Sequence, residues 1–208
     1  MRCIRRKLRD LIERSFDAQE RLSPLAMGID VARSGKDETI ISRFDGNKQL
    51  PFVALRTNDL VEVASAIRDL ALDGFDHIAV DDSGVGGGLT DILRSYGIEF
   101  HAVNFAQRAK GFLNTDCRRL GNARAEMYFS LLDELKKNQV VLYNDKILVR
   151  ELTSLRLKPV SGGNMYYLEP KEELKARIGR SPDRSDATVL ARYAMKLQPY
   201  PSKKILFV

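Results

Sequence analysis

The chain has 208 residues, 44% apolar and 30% charged, a balance that fits one globular domain with a sizeable core and excludes a disordered chain. Its net charge of +6 suits a polyanionic partner, because basic faces attract phosphate backbones. Two cysteines, Cys3 and Cys117, exclude a disulfide framework or an all-cysteine metal site.

No apolar run approaches the ~20 residues of a membrane span, and the basic start carries no secretory pattern. A soluble, reducing compartment is expected. Residues 1–24 read as an amphipathic helix or linker, with Ile4, Leu8, Leu11 and Ile12 at helical spacing before Ser23-Pro24 breaks the chain. Residues 25–208 form the expected domain. Strands are predicted near 26–31, 38–44 and 50–55, with Asp45-Gly46-Asn47 turning between the last two. Asn58 is expected to cap a helix that Gly74 closes. A strand at 77–81, a glycine loop at 84–88, a helix at about 89–96 and a strand at 99–104 continue the pattern. Residues 105–120 carry Arg108, Lys110, Arg118 and Arg119 beside Phe105 and Phe112. That composition suits either a surface connection or a nucleic-acid groove. Helices follow at about 122–137 and 145–155, then a hairpin over 158–170. A last helix at about 184–197 turns Ala187, Leu190, Ala191 and Ala194 to the sheet. The fold class is α/β, a mixed sheet flanked by helices. This order resembles a ribonuclease H-like fold, which implies that the first and fourth strands are neighbours and that Asp30 stands beside Asp81.

Three acids carry the chemistry. Asp30 ends a buried strand, where desolvating a carboxylate costs several kcal/mol unless a cation or hydrogen-bond donor meets it. Gly28 and the polar turn after it read as a strand open to a cleft. Asp81 closes the apolar run His77-Ile78-Ala79-Val80 before a glycine-rich turn, at the carboxyl edge where α/β proteins place their sites. Asp183 follows Ser181-Pro182 at the start of the last helix, with Asp186 one turn on. It is either an N-cap or a third carboxylate at the same edge. Carboxylates converging on two metal ions about 3.5–4 Å apart are what in-line phosphodiester hydrolysis needs. His77 and His101 fall in strands and read as structural.

Five motifs occur in order from residue 25 to about 197. They are Gly28-Ile29-Asp30-Val31-Ala32-Arg33 with Gly35-Lys36-Asp37, Val80-Asp81 with Gly84-Val85-Gly86, Asn122-Ala123-Arg124-Ala125-Glu126, Lys171-Glu172-Glu173, and Ser181-Pro182-Asp183 with Asp186-Ala187. The ordered set resembles the nuclease domain of the large terminase subunit of tailed bacteriophages. The resemblance implies a ribonuclease H-like fold and an endonuclease that cuts concatemeric double-stranded viral DNA during genome packaging. It puts two ions, Mg2+ or Mn2+, on Asp30, Asp81 and Asp183, with Asp186 as a further ligand and Lys171 near the scissile phosphate. DNA contacts are expected from Arg33, Lys36, Arg108, Lys110, Arg118, Arg119 and Arg124. The implied partners are the terminase ATPase domain, the small terminase subunit and the portal protein, in the host cytoplasm.

The packaging ATPase's Gly-x-x-x-x-Gly-Lys-Ser/Thr is not found; Ser34-Gly35-Lys36-Asp37 lacks the first glycine and the hydroxyl residue. This chain is expected to be the nuclease part alone, without ATP hydrolysis. The same acids also serve a junction-resolvase or transposase-like nuclease, or a catalytically silent DNA-binding module of the same fold. An actin-like or sugar-kinase ATPase needs a second copy of a loop like Asp81–Thr90, and there is one.

Overall fold

The computed structural model describes residues 24–32, 37–72, 74–83, 86–110, 119–159 and 165–198. The segment expected to be an N-terminal helix lies outside them, apart from Pro24. The first half of the chain runs β1 (Leu25–Asp30), β2 (Thr39–Asp45), β3 (Lys48–Gln49), β4 (Val53–Leu55), α1 (Leu60–Ala71), β5 (His77–Asp81), α2 (Gly86–Ser95) and β6 (His101–Val103). The second half runs β7 (Arg119–Leu120), α3 (Ala123–Lys136), α4 (Lys146–Ser154), β8 (Leu157–Pro159), β9 (Met165–Leu168), α5 (Lys171–Ile178) and α6 (Asp183–Ala194).

One six-stranded sheet holds the centre in the order β3-β2-β1-β5-β6, with β4 also on β2. β1 is antiparallel to β2 and parallel to β5. The β1–β5 register runs from Ala26 opposite His77 to Ile29 opposite Val80, so the next step sets Asp30 beside Asp81, as the resemblance implied. A three-stranded sheet, β7-β9-β8, flanks the centre.

Strand alternation sorts the side chains into two cores. Met27, Ile29, Ile78 and Val80 pack against Val63, Ala64 and Ile67 of α1 and Leu89 and Leu93 of α2. On the opposite face, Ala26, Ala79 and Phe44 pack against α3, α4 and α6. Helix α6 lies directly over β1, and Gly28 is the reason it can. A Cβ there would sit 2.3 Å from both Ala187 O and Ala191 N. Gly28 is thus covered by a helix rather than open to a cleft, which corrects the expectation drawn from its sequence context.

Other boundaries shift for local reasons. Asp59, not Asn58, caps α1, its Oδ1 accepting from Val61 N at 2.8 Å. The glycines at 86–88 are already helical. Asn122 and Asp145 cap α3 and α4. Helix α5 is an element the sequence pattern does not mark: Pro170 precedes it without a side-chain cap, and only Leu174 and Ile178 are buried on it. Gly179, at φ 78°, ends it in the left-handed conformation that glycine adopts without strain.

Candidate active site

Each acid reaches the site through a different constraint. Asp30 and Asp81 sit at the carboxyl ends of adjacent parallel strands, on the face that α6 covers, and both are buried. Asp183 is the first residue of α6, and Asp186 lies one turn later. Because Gly28 admits the α6 backbone onto β1, both acids of α6 stand over Asp30. Pro182 occupies the cap position and no side chain caps the helix locally, so Asp183 is not an N-cap.

Lys171, the first residue of α5, comes to the same place from the far end of the sequence. Its Nζ lies 2.8 Å from Asp186 Oδ2, 3.4 Å from Asp30 Oδ1 and 3.6 Å from Asp81 Oδ2. It also stands 5.1 Å from the centre of the Phe105 ring, a cation–π contact. Burial works against its charge, but Asp186, Asp30 and Asp81 outweigh burial and raise its pKa. Glu169 pins the chain just before it. Its Oε1 accepts from Arg156 N at 2.9 Å and pairs with Arg177, and its carbonyl accepts from Arg124 Nη1 at 3.0 Å.

The two acids of α6 differ in surroundings. Asp186 is fully buried. Its Oδ1 accepts from Tyr128 Oη at 2.7 Å and Arg124 Nε at 3.2 Å. Burial pushes against its charge, yet Arg124 and Lys171 prevail and lower its pKa. Asp183 is pushed up, first by burial and then by Asp37 and Asp186, with a Ser181 hydrogen bond opposing. It lines a cavity of about 180 Å³ together with Asp30, Asp37, Lys171, Lys175 and Ser181. Burial also raises Asp30 well above the ordinary carboxylate range; Lys171 opposes this, while Asp186, Asp183 and Asp81 add to it.

On the other side of Lys171 opens a larger cavity of about 530 Å³. Asp81, Phe105, Asn122, Lys158 and Tyr167 line it. The Tyr167 ring lies over Gly121, where a Cβ would come within 1.9 Å of it. Lys171 and Glu172 border both cavities.

Among the described residues, no three His, Cys, Asp or Glu side chains already form a metal cage. The Lys171 ammonium instead stands between Asp30, Asp81 and Asp186. The donors nevertheless suit a divalent ion: all are carboxylate oxygens, the hard ligands that Mg2+ and Mn2+ take. The upward shifts of Asp30 and Asp183 come first from burial, with the neighbouring carboxylates adding to it.

Of the basic residues expected to meet DNA, Arg108, Lys110 and Arg119 are exposed, and the segment carrying the first two continues from Phe105 and Ala106 in the cavity wall. Arg33, Lys36 and Arg118 lie outside the described residues. Arg124 lines the larger cavity but is 6% exposed and bound to Asp186 and to the Glu169 carbonyl. It holds the site from beneath instead of offering a free charge at the surface. His77 pairs in register with Ala26 and His101 with Ala79, both below the acidic edge.

The fold is ribonuclease H-like, a mixed sheet flanked by helices, and it is that of phage terminase nuclease domains. No family model matches the chain, and neither does any curated protein sequence. Solved structures do match. The nuclease domain of the large terminase subunit gp2 of bacterial virus Sf6 superposes with a TM-score of 0.75 at 21% identity, over 88% of this chain and 96% of that one. A mutant of the same Sf6 domain with manganese gives 0.73 at 19% identity, over 88% and 96%. The large terminase nuclease from thermophilic phage G20c with bound magnesium gives 0.60 at 16% identity, again over 88% and 96%.

Proposed function

We propose that this chain is a divalent-metal-dependent endonuclease that cuts double-stranded DNA during the packaging of a viral genome. The observation that carries this reading is the meeting of Asp30, Asp81 and Asp183 at one sheet edge, in a chain whose fold spans nearly the whole length of solved terminase nuclease domains. The metal-bound neighbours from Sf6 and G20c support Mg2+ or Mn2+ as the cofactor.

In this reading Asp30, Asp81 and Asp183 hold two ions. Asp186 stands behind them, committed to Arg124, Tyr128 and Lys171. When bound, the ions lower the pKa of the attacking water and offset charge on the leaving 3′ oxygen. Lys171 keeps its proton and borders both cavities, so its charge lies beside the path of an incoming phosphate. Arg108, Lys110 and Arg119 draw the DNA backbone toward the larger cavity; such contacts position DNA without reading its sequence. No helix of the described residues is long and apolar enough to cross a membrane. The packaging ATPase domain, small terminase subunit and portal protein are the partners this role entails, at a prohead in the host cytoplasm.

Supercoiled plasmid incubated with the chain and Mg2+ or Mn2+ tests the proposal, beside Asp30→Ala and an EDTA control. Nicking and linearisation that need metal and vanish in the variant are expected. A folded wild type that binds DNA but leaves the plasmid intact with either metal would instead establish a silent DNA-binding module.

A further inference from the structure

The first turn of helix α6 has no side-chain cap of its own. Pro182 offers no cap. The acceptor comes from another helix: Glu151 of α4 places Oε2 2.7 Å from Ser185 N. Glu151 is completely buried, and its other oxygen, Oε1, lies 3.4 Å from Arg180 Nε. Arg180 in turn approaches Glu38 Oε2 at 3.7 Å, tying the loop before α6 to the residue preceding β2.

Ser185 is the hinge of this arrangement. It lies between Asp183 and Asp186, and its Oγ stands 3.0 Å from Pro182 O and donates to Tyr128 Oη at 2.8 Å. Tyr128 then donates to Asp186. A continuous buried chain therefore runs from Glu151 through Ser185 and Tyr128 to Asp186. An unfilled acceptor at Ser185 would leave a buried N–H without a partner and the first turn of α6 free to rotate or fray.

We propose that Glu151 is a positioning residue for the nuclease site, a remote cap that fixes the rotation of the first turn of α6 and thereby aims Asp183 at Asp30. The proposal rests on the nuclease reading above. What the cap supplies is an oxygen acceptor at one point in space. Burial pushes the Glu151 carboxyl up to about 8, against the Ser185 N–H and Arg180, so a neutral side chain with the same oxygen can serve. Outer partners of metal-binding carboxylates typically cost about 10- to 100-fold in metal affinity or activity when lost.

The test compares Glu151→Met, Glu151→Gln and Glu134→Gln with wild type, by Mn2+ calorimetry, plasmid-cutting rate and thermal melting. Glu134 is a buried acid on α3 that pairs with Arg192 Nε at 2.8 Å near the other end of α6, so its loss tests stability without touching the first turn. Glu151→Met is expected to lower Mn2+ affinity and kcat by about 10-fold or more. Glu151→Gln should restore both to within about twofold of wild type, and Glu134→Gln should lower the melting temperature with kcat unchanged. Folded Glu151→Met with wild-type affinity and rate overturns the proposal, as does an equal kinetic loss in Glu134→Gln. If Glu151→Met does not fold, Glu151→Asp carries the question. It keeps the carboxyl group but falls a methylene short of Ser185, and the same kinetic loss is expected; wild-type behaviour refutes the cap. If wild type neither binds Mn2+ nor cuts, the nuclease reading fails separately. The side-chain carboxyl carbon resonances of Asp183 and Asp186 then decide: they move in the shortened variant and not in Glu134→Gln, or the positioning role is wrong.

Discussion

On β1 and β5 the residues that face α1 and α2 are Met27, Ile29, Ile78 and Val80, all apolar and buried. Those that face α6 are Ala26, Gly28, Asp30, Ala79 and Asp81. The first face is bulky and dry, and holds its helices by dispersion and burial. The second is small enough to bring a helix backbone against the strand, and behind the acids it continues into buried polar groups: Asp186, Ser185, Thr188, Arg124 and Glu151. The same two strands thus supply stability through one face and close-set charge through the other. A carboxylate on the bulky face would meet only side-chain carbon; on the small face it meets Lys171 and the turn of α6.

The contrast between Asp183 and Asp186 gives the largest expected effect. Asp183→Asn removes a charge that burial already disfavours, so the melting temperature should hold or rise. Cutting should fall by roughly 100-fold or more, since a bound ion carries several kcal/mol of the barrier. Asp186→Asn leaves Arg124 buried without its counter-charge and should cost ~3–5 kcal/mol of stability. Chemical denaturation beside plasmid cutting separates the two; equal stability losses would erase the distinction.

Next comes the face itself. Met27→Ala opens a cavity on the dry side and should cost ~2–5 kcal/mol, with the rate per folded molecule unchanged. Gly28→Ala forces α6 away from β1. It should cost at least ~1–3 kcal/mol by overpacking, and it should lower the cutting rate of the protein that remains folded. A Gly28→Ala variant with full kcat would show that the acids tolerate a displaced helix.

The last prediction is a pH slope. Burial raises Glu151 to about 8 from an ordinary 4.5, so the folded state binds its proton more tightly than the unfolded state. That stabilisation is complete below the unfolded pKa and is lost as pH rises toward about 8. Melting of the metal-free protein between about pH 5 and 8 should show this falling contribution, and Glu151→Gln should remove it. Identical slopes in the two proteins would contradict the raised pKa.

Much of this was legible in the residues. A carboxylate ending an apolar strand is locally anomalous, which exposed Asp30 and Asp81. The hairpin over 158–170 was legible, and so was the last helix by its alanine spacing. Helix α5 was hidden because a short, highly charged segment with two buried side chains has almost no apolar periodicity. Glu151 carries a sequence signal of its own: it lies between Leu148 and Leu152, on the buried stripe of its helix, where an unpartnered acid would be costly.

The sequence by itself determined which carboxylates end strands and most of the strand and helix order, because these depend on local polarity and spacing. The tertiary structure alone decided which acid of α6 lines the cavity and which is tied down by Arg124, Tyr128 and Lys171. It also decided that Arg124 lies inside, and that Lys171 and Glu151 serve the same edge. Those assignments depend on contacts between segments far apart in the chain, such as Lys171 with Asp30, and local spacing carries no information about which distant charge will be brought to meet a given side chain.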